Sequence, residues 1–260
     1  MTANTIAKPA AAASTSTTNV ENPKDKDVTK EKGYWNTFYS KASIPAVPSQ
    51  FCVLVSTELS RSTPIVEFGC GNARDSLYFI SQGFTVLASD LSKEAIESNQ
   101  EKINNAADTV AENKGTKFSI CDCTDETDVD ELIKSARATT GDSDGDGESN
   151  IAVYNRFFLH SIDQVQERQF LTFLKKSMIK GDKLYMEYRC DKDEALPKVY
   201  GKDHYRRYVK TSEMVQFLES DSDGEEDAFA FEMEYEKTGQ GMAKYKHEDP
   251  FVSRIIAVKK

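Results

Sequence analysis

From Pro64 onward, short apolar runs alternate with longer amphipathic ones. The short runs predict strands at Ile65–Phe68, Thr85–Ser89, Phe118–Cys121, Ile151–Tyr154 and Lys183–Tyr188. The longer runs predict helices at Asp75–Ser81, Lys93–Asn104, Val129–Ala136 and Val165–Met178. In the last of these, Phe170, Leu171, Phe173 and Leu174 crowd one side and Gln, Glu and Lys the other, which is the periodicity of a half-buried helix. Strand–helix alternation means βαβ units and a mainly parallel sheet. After a helix around Ser212–Leu218 the rhythm changes. Ala228–Tyr235 and Phe251–Val258 read as strands with no clear helix between them, and two strands joined without a crossover helix form an antiparallel pair at one edge. The pattern therefore predicts a doubly wound α/β fold with seven strands, mainly parallel, closed by an antiparallel C-terminal pair. By itself it leaves other doubly wound folds open.

The chain of 260 residues suits one sizeable core. Residues 1–32 hold no aromatic residue and are dominated by Ala, Thr, Ser, Lys and Asn, too little apolar surface to offset chain entropy. They read as a disordered leader, and 33–260 as one domain. The leader has no apolar core of a secretion signal. Its Ala, Ser and Thr content, with no acid before Glu21, resembles a transit peptide, whereas its lack of Arg does not. A cytoplasmic location is expected, with organelle import left open.

A net charge of −10 without a broad basic run argues against nucleic acid and anionic membranes, because phosphate neutralisation needs clustered Lys and Arg. No apolar stretch reaches the roughly 20 residues of a membrane span. The five cysteines form no CxxC pair and their number is odd, which fits thiols in a reducing compartment. Only Cys121 and Cys123 lie close together, with no His nearby, so no metal site is expected. The acidic segments Gly141–Asn150 and Glu219–Glu226 read as solvated loops. The first begins Asp142-x-Asp144-x-Asp146-Gly147, but Val153 stands where a calcium loop needs its bidentate Glu.

The chemistry concentrates in Glu67-Phe68-Gly69-Cys70-Gly71-Asn72-Ala73-Arg74-Asp75. A buried strand ends in a two-glycine turn that opens a helix, and the glycines let the backbone bend tightly and approach a ligand. A dinucleotide fingerprint needs glycine at position 74, where Arg74 stands, and a P-loop would need Gly-Lys-Ser/Thr. Asp90 closes the next strand, 19 residues after Gly71, where an acid accepts hydrogen bonds from ribose hydroxyls. Asp122 follows the third strand. Each has a bland reading: an ordinary strand–helix turn, a helix cap at Asp90 (Ser92 being the better cap), a loop acid at Asp122.

The run Glu67-x-Gly69-x-Gly71-x-Ala73 resembles the first motif of the class I S-adenosylmethionine-dependent methyltransferases, with Ala73 in place of the usual third glycine. This exchange is expected to cost little if the backbone there is helical. The resemblance implies a Rossmann-like methyltransferase fold with S-adenosylmethionine as cofactor. It implies that Glu67 supports the amino-acid end of the cofactor, that the turn through Gly69, Cys70, Gly71, Asn72 and Arg74 lies against it, that Asp90 meets the ribose, and that Leu91 and Asn155 also contact the cofactor. Asp122 then takes the adenine amino group and the Cys123 backbone the ring edge. Tyr34-Trp35-Asn36-Thr37-Phe38-Tyr39, Asn155-Arg156-Phe157-Phe158-Leu159-His160 and Asp203-His204-Tyr205-Arg206-Arg207-Tyr208 are similar to blocks of a subgroup, several of whose members modify polysaccharides and small molecules. The Tyr34–Tyr39 segment is either a lid, with Trp35 on the cofactor and Tyr34 and Tyr39 on the acceptor, or an aromatic helix packed on the core.

Methyl transfer is an in-line displacement in which the protein aligns the reactants and excludes water. Asn155 and Arg156 follow the fourth strand at the cofactor edge. Arg156, Tyr205, Arg206 and Arg207 are candidates for binding an anionic acceptor such as a carboxylic acid, a methylthio acid or a phosphorylated sugar. His160 or His204 is the candidate base if oxygen is methylated. The competing readings are that Arg206 and Arg207 pair with acids such as the 219–226 run, and that His160 serves only structure. Two other classes remain, a methyltransferase-like binding scaffold without turnover and an NAD-dependent oxidoreductase, with the oligomeric state open.

Overall fold

Seven strands form one sheet in the order β3-β2-β1-β4-β5-β7-β6 in the structure, a computed structural model describing residues 33–37, 47–105, 115–140, 149–198, 205–220 and 230–260. The strands are β1 (Ile65–Phe68), β2 (Val86–Asp90), β3 (Lys117–Ile120), β4 (Ala152–Arg156), β5 (Lys183–Arg189), β6 (Phe231–Gly239) and β7 (Val252–Lys259). β1 to β5 are parallel, and β7 runs antiparallel to both β5 and β6. The doubly wound sheet with its antiparallel pair is thus as the hydrophobic pattern predicted, with strand boundaries moved by no more than four residues. One move matters: β2 begins and ends a residue later than expected, so Asp90 is the last residue of the strand itself.

Six α-helices with defined bounds flank the described sheet: α1 (Gln50–Glu58), α2 (Arg74–Ser81), α3 (Lys93–Asn105), α4 (Glu126–Arg137), α5 (Gln164–Ser177) and α6 (Thr211–Glu219). Residues 33–37 add one further helical turn. The pattern did not predict α1. Its buried face is Phe51, Cys52, Val55 and Ser56, a stripe broken by polar residues, and its start is fixed by Ser49, whose hydroxyl accepts the Cys52 N–H at 3.0 Å. α4 begins three residues earlier than the apolar pattern because Asp125 caps it, accepting from Thr127 and Asp128. α5 starts with a reciprocal capping box between Asp163 and Gln166.

Each face of the sheet is covered by one set of helices. Phe170, Leu171 and Leu174 of α5, with Val129 and Ile133 of α4, pack on Val66, Phe68, Val153 and Met186. On the other face Phe51, Phe79 and Ile96 meet Tyr154, Tyr185 and Ile256. β1, buried throughout, and β4, buried as far as Asn155, read as continuous rather than alternating runs because both faces are covered. The outer strand β6 keeps Glu232, Glu234 and Glu236 exposed, which discourages pairing with another chain. Winding reverses between β1 and β4, so the connections leaving their carboxyl ends diverge and open a crevice there.

The leader 1–32, the acidic stretches 141–148 and 221–229, and Tyr39, Asp203 and His204 lie outside the described residues. No helix among the described residues is long and apolar enough to cross a membrane.

Candidate active site

The glycine turn is built by backbone geometry and pinned by polar side chains. Gly69 and Gly71 adopt left-handed φ values of 71° and 53°, which glycine reaches without a Cβ penalty. The Gly71 N–H donates to Asp90 Oδ2 at 2.9 Å, and its carbonyl accepts from the buried Asn99 amide of α3 at 2.7 Å. Lys102 Nζ donates to the Asn72 carbonyl at 3.0 Å. Ala73 is also left-handed, at φ 58°, as the cap of α2. The backbone there is not right-handed helical, so alanine for the third glycine is a strained choice, by about 1–2 kcal/mol.

Beneath the turn, Glu67 is buried on the α2 side and accepts from Ser76 Oγ at 2.5 Å. Burial, reinforced by nearby Asp75, pushes its carboxyl up to about 8. Burial also acts to raise Asp75, but Arg156, Arg74 and two hydrogen bonds from Ser49 hold it below its ordinary value. The Tyr154 hydroxyl donates to the same carboxylate at 2.8 Å. Glu67 therefore acts from below, by bracing α2 under the turn.

Above the carboxyl ends of β1, β2 and β3 lies a cleft of about 790 Å³, counting the part open to solvent. Of the residues singled out by sequence, Trp35, Gly69, Asp90, Leu91, Asp122 and Cys123 line it. Asp90 accepts from the Gly71 and Ser92 N–H groups, and burial lifts its carboxyl above the ordinary range against the pull of those bonds. Ser92, in turn, caps α3 through its hydroxyl. Asp122 Oδ1 accepts from both the backbone and hydroxyl of Thr124. Both acids thus fix local turns while standing at the cleft. Tyr34 packs edge-on against Trp35, with ring centroids 5.1 Å apart.

Cys70, Gly71, Asn72 and Arg74 are not among the lining residues, and Arg74 pairs with Asp75 at 3.3 Å. Asn155 is fully buried at the end of β4, on the side of the sheet shared with Phe68, and both polar atoms of its amide lack a partner. A buried amide with neither bond made is costly, which marks this position for a ligand or an ordered water.

Sequence reading missed Phe68, Phe157, Phe158, Ser161, Ile162 and Gln166, which complete much of the lining. Most follow β4 directly. Their signal was the Arg156-Phe157-Phe158 block at a strand end, read for its polar members alone. The space a Cβ on Gly69 would take is filled by the Phe158 ring, whose Cδ2 would lie 2.5 Å away.

The arginines expected to hold an acceptor are engaged within the fold. Arg156 pairs with buried Glu187 at 2.6 Å, and Glu187 also pairs with Arg254 of β7 at 2.6 Å, a row set by strand register. Arg207 pairs with buried Glu167 of α5 and donates to the carbonyls of Ile162 and Leu159, so its partner is not the 219–226 run. Tyr205 is exposed and Arg206 half-buried beside it. His160 is buried, with the Arg189 N–H directed at its Nδ1 at 3.5 Å and Phe157 against its ring. It is not part of the cleft's described lining.

The family model described as tellurite resistance protein TehB matches residues 28–133, which contain the glycine turn, Asp90 and Asp122. No curated protein sequence matches. Among solved structures, a SAM-dependent methyltransferase from Anabaena variabilis is 16% identical with a TM-score of 0.62, covering 91% of this chain and 96% of its own. The 1,6-didemethyltoxoflavin-N1-methyltransferase of Burkholderia thailandensis is 14% identical with a TM-score of 0.58, covering 98% and 93%. TehB from Haemophilus influenzae is 14% identical with a TM-score of 0.55, covering 88% and 67%.

The chain has the methyltransferase fold. Within that fold the cleft sits at the switch point where the sheet order reverses, over the glycine turn.

Proposed function

We propose that the protein is an S-adenosylmethionine-dependent methyltransferase acting on a small acceptor. The observation that carries this is convergence: Gly69, Asp90 and Asp122, from three successive strand ends, line one cleft. When bound, S-adenosylmethionine supplies an electrophilic methyl group, so the protein's tasks are alignment and exclusion of water. Asp90 would accept from the ribose hydroxyls, Asp122 from the adenine amino group, and the Cys123 backbone would read the ring edge. Glu67, through Ser76, would hold the turn in shape, and the Asn155 amide would find its partner on the cofactor side. Trp35 would cover the cleft.

For the acceptor we retain a small anion, a carboxylic acid, a methylthio acid or a phosphorylated sugar, with a changed basis. Arg156 and Arg207 carry buried carboxylates, and Tyr205 and Arg206, whose segment runs beside the turn Leu159–Ser161, are kept as acceptor-binding residues. His160 is buried and outside the cleft's described lining, which favours either His204 as base or a thioether acceptor that needs none. A scaffold without turnover would share the cofactor site, whereas an oxidoreductase would have to place a pyrophosphate against Arg74 instead of glycine.

The test is release of S-adenosylhomocysteine with candidate acceptors, tellurite included because TehB is described by it. Acceptor-dependent release, weakened at least tenfold in KM by Arg206→Ala, supports the anionic class. Release with neutral acceptors alone removes that class, and none with any acceptor favours the scaffold.

A further inference from the structure

Phe158 stands where no sequence argument placed a ligand-binding residue. Its ring fills the space over Gly69 that a side chain would otherwise occupy, so it lies directly on the glycine turn while lining the cleft. Its orientation is fixed from behind. Phe170 packs against it edge-to-face at 5.3 Å, and Phe68 against Phe170 at 4.9 Å, giving a rigid aromatic stack rooted in the core. The neighbouring Phe157 is differently used. It sits at a left-handed φ of 56°, and its ring is taken up by the Arg156 guanidinium at 4.0 Å and Arg189 at 5.6 Å. Its N–H bond to the Glu187 carbonyl, at 2.8 Å, holds that unusual turn and directs the chain so that Phe158 faces Gly69.

The rest of the described lining near the turn holds no Lys or Arg, and Asp90 and Asp122 are its charged groups. An aromatic π-face in a partly desolvated, acid-lined cleft attracts a cation, as quaternary ammonium sites do. We propose that Phe158 is a cofactor-binding residue whose ring recognises the positive charge of the sulfonium, so that the site discriminates S-adenosylmethionine from neutral-sulfur S-adenosylhomocysteine. This rests on the proposed function above.

Calorimetric titration of both ligands separates charge recognition from mere packing, because they differ only in the methyl group and its charge. Phe158→Leu keeps apolar bulk and removes the π-face. It should weaken S-adenosylmethionine binding about tenfold, equivalent to ~1.4 kcal/mol, while changing S-adenosylhomocysteine affinity less than about twofold. Phe158→Tyr should bind both as the wild type does. Equal weakening of both ligands, or none, overturns the proposal. Should Phe158→Leu fail to fold, stepwise fluorination of the phenylalanine at 158 keeps the shape and drains the ring's negative face. S-adenosylmethionine affinity must then fall with each fluorine while S-adenosylhomocysteine affinity stays level, and parallel curves overturn the proposal. Wild-type protein that binds neither ligand refutes the proposed function itself. Binding of both with an unmoved ratio refutes only the role of Phe158.

Discussion

Phe158 and Gly69 share one small volume: a Cβ on Gly69 would lie 2.5 Å from Phe158 Cδ2, and the Gly69 backbone is left-handed at φ 71°. The glycine therefore serves two needs at once, a turn that L residues resist and a seat for an aromatic ring. Gly69→Ala should lose ~2–4 kcal/mol, from backbone strain and overpacking together. In Gly69→Ala/Phe158→Ala the overpacking disappears while the backbone strain remains. The two changes should therefore cost ~1–3 kcal/mol less together than their sum, in a denaturant-unfolding cycle. Additive costs would show that ring and turn do not meet.

Glu187 lies buried between Arg156 and Arg254, bonded to both at 2.6 Å. Glu187→Leu leaves two guanidiniums without their counter-charge, a change that costs ~3–5 kcal/mol when such a pair is broken from one side. Thermal unfolding should fall by about 10 °C for a chain of this size. Replacing all three by Met and Leu should recover most of that loss. A fall of only ~1–2 °C for the single change would mean that water or movement already screens the row.

Glu67 gives the fold a pH dependence of known sign. Its carboxyl is raised from an ordinary 4.5 to about 8, first by burial and then by Asp75. Below the lower value both states are protonated. Between the two, the unfolded chain releases a proton that the folded chain keeps, so stability falls as pH rises through this window and levels above it. Glu67→Gln keeps an acceptor for Ser76 and removes the titration. The melting temperature of the variant relative to wild type should therefore rise steadily from about pH 5 to pH 8. A difference that stays flat, or falls, contradicts the buried-carboxyl assignment.

The fold was legible because period decides it. Five strands of four to seven residues, separated by amphipathic runs, permit little but a doubly wound sheet. The acids Asp90 and Asp122 were legible for the same reason, since a strand's carboxyl end has a fixed place in such a sheet. The acceptor side was not. Arg156 and Arg207 look like open forks in sequence, but their partners Glu187 and Glu167 are 31 and 40 residues away, and only folding joins them. The exchange at Ala73 is mild only where the backbone is helical, and the position is instead a left-handed cap. Phe157 and Phe158 stand in sequence only as members of the Asn155–His160 block, and the left-handed turn at Phe157 precedes the ring that lines the cleft. Apolar residues carry no spacing signal that separates a cleft wall from a core.

The most direct measurement is calorimetric titration of S-adenosylmethionine and NAD into the wild-type chain and Asp90→Asn. The amide of that variant keeps one acceptor for the Gly71 or Ser92 N–H but loses the charge and the second oxygen offered to ribose hydroxyls. Micromolar binding of S-adenosylmethionine, absence of NAD binding, and a loss of at least tenfold in Asp90→Asn are the predicted results. Binding of NAD in place of S-adenosylmethionine, or S-adenosylmethionine affinity indifferent to position 90, would contradict the account.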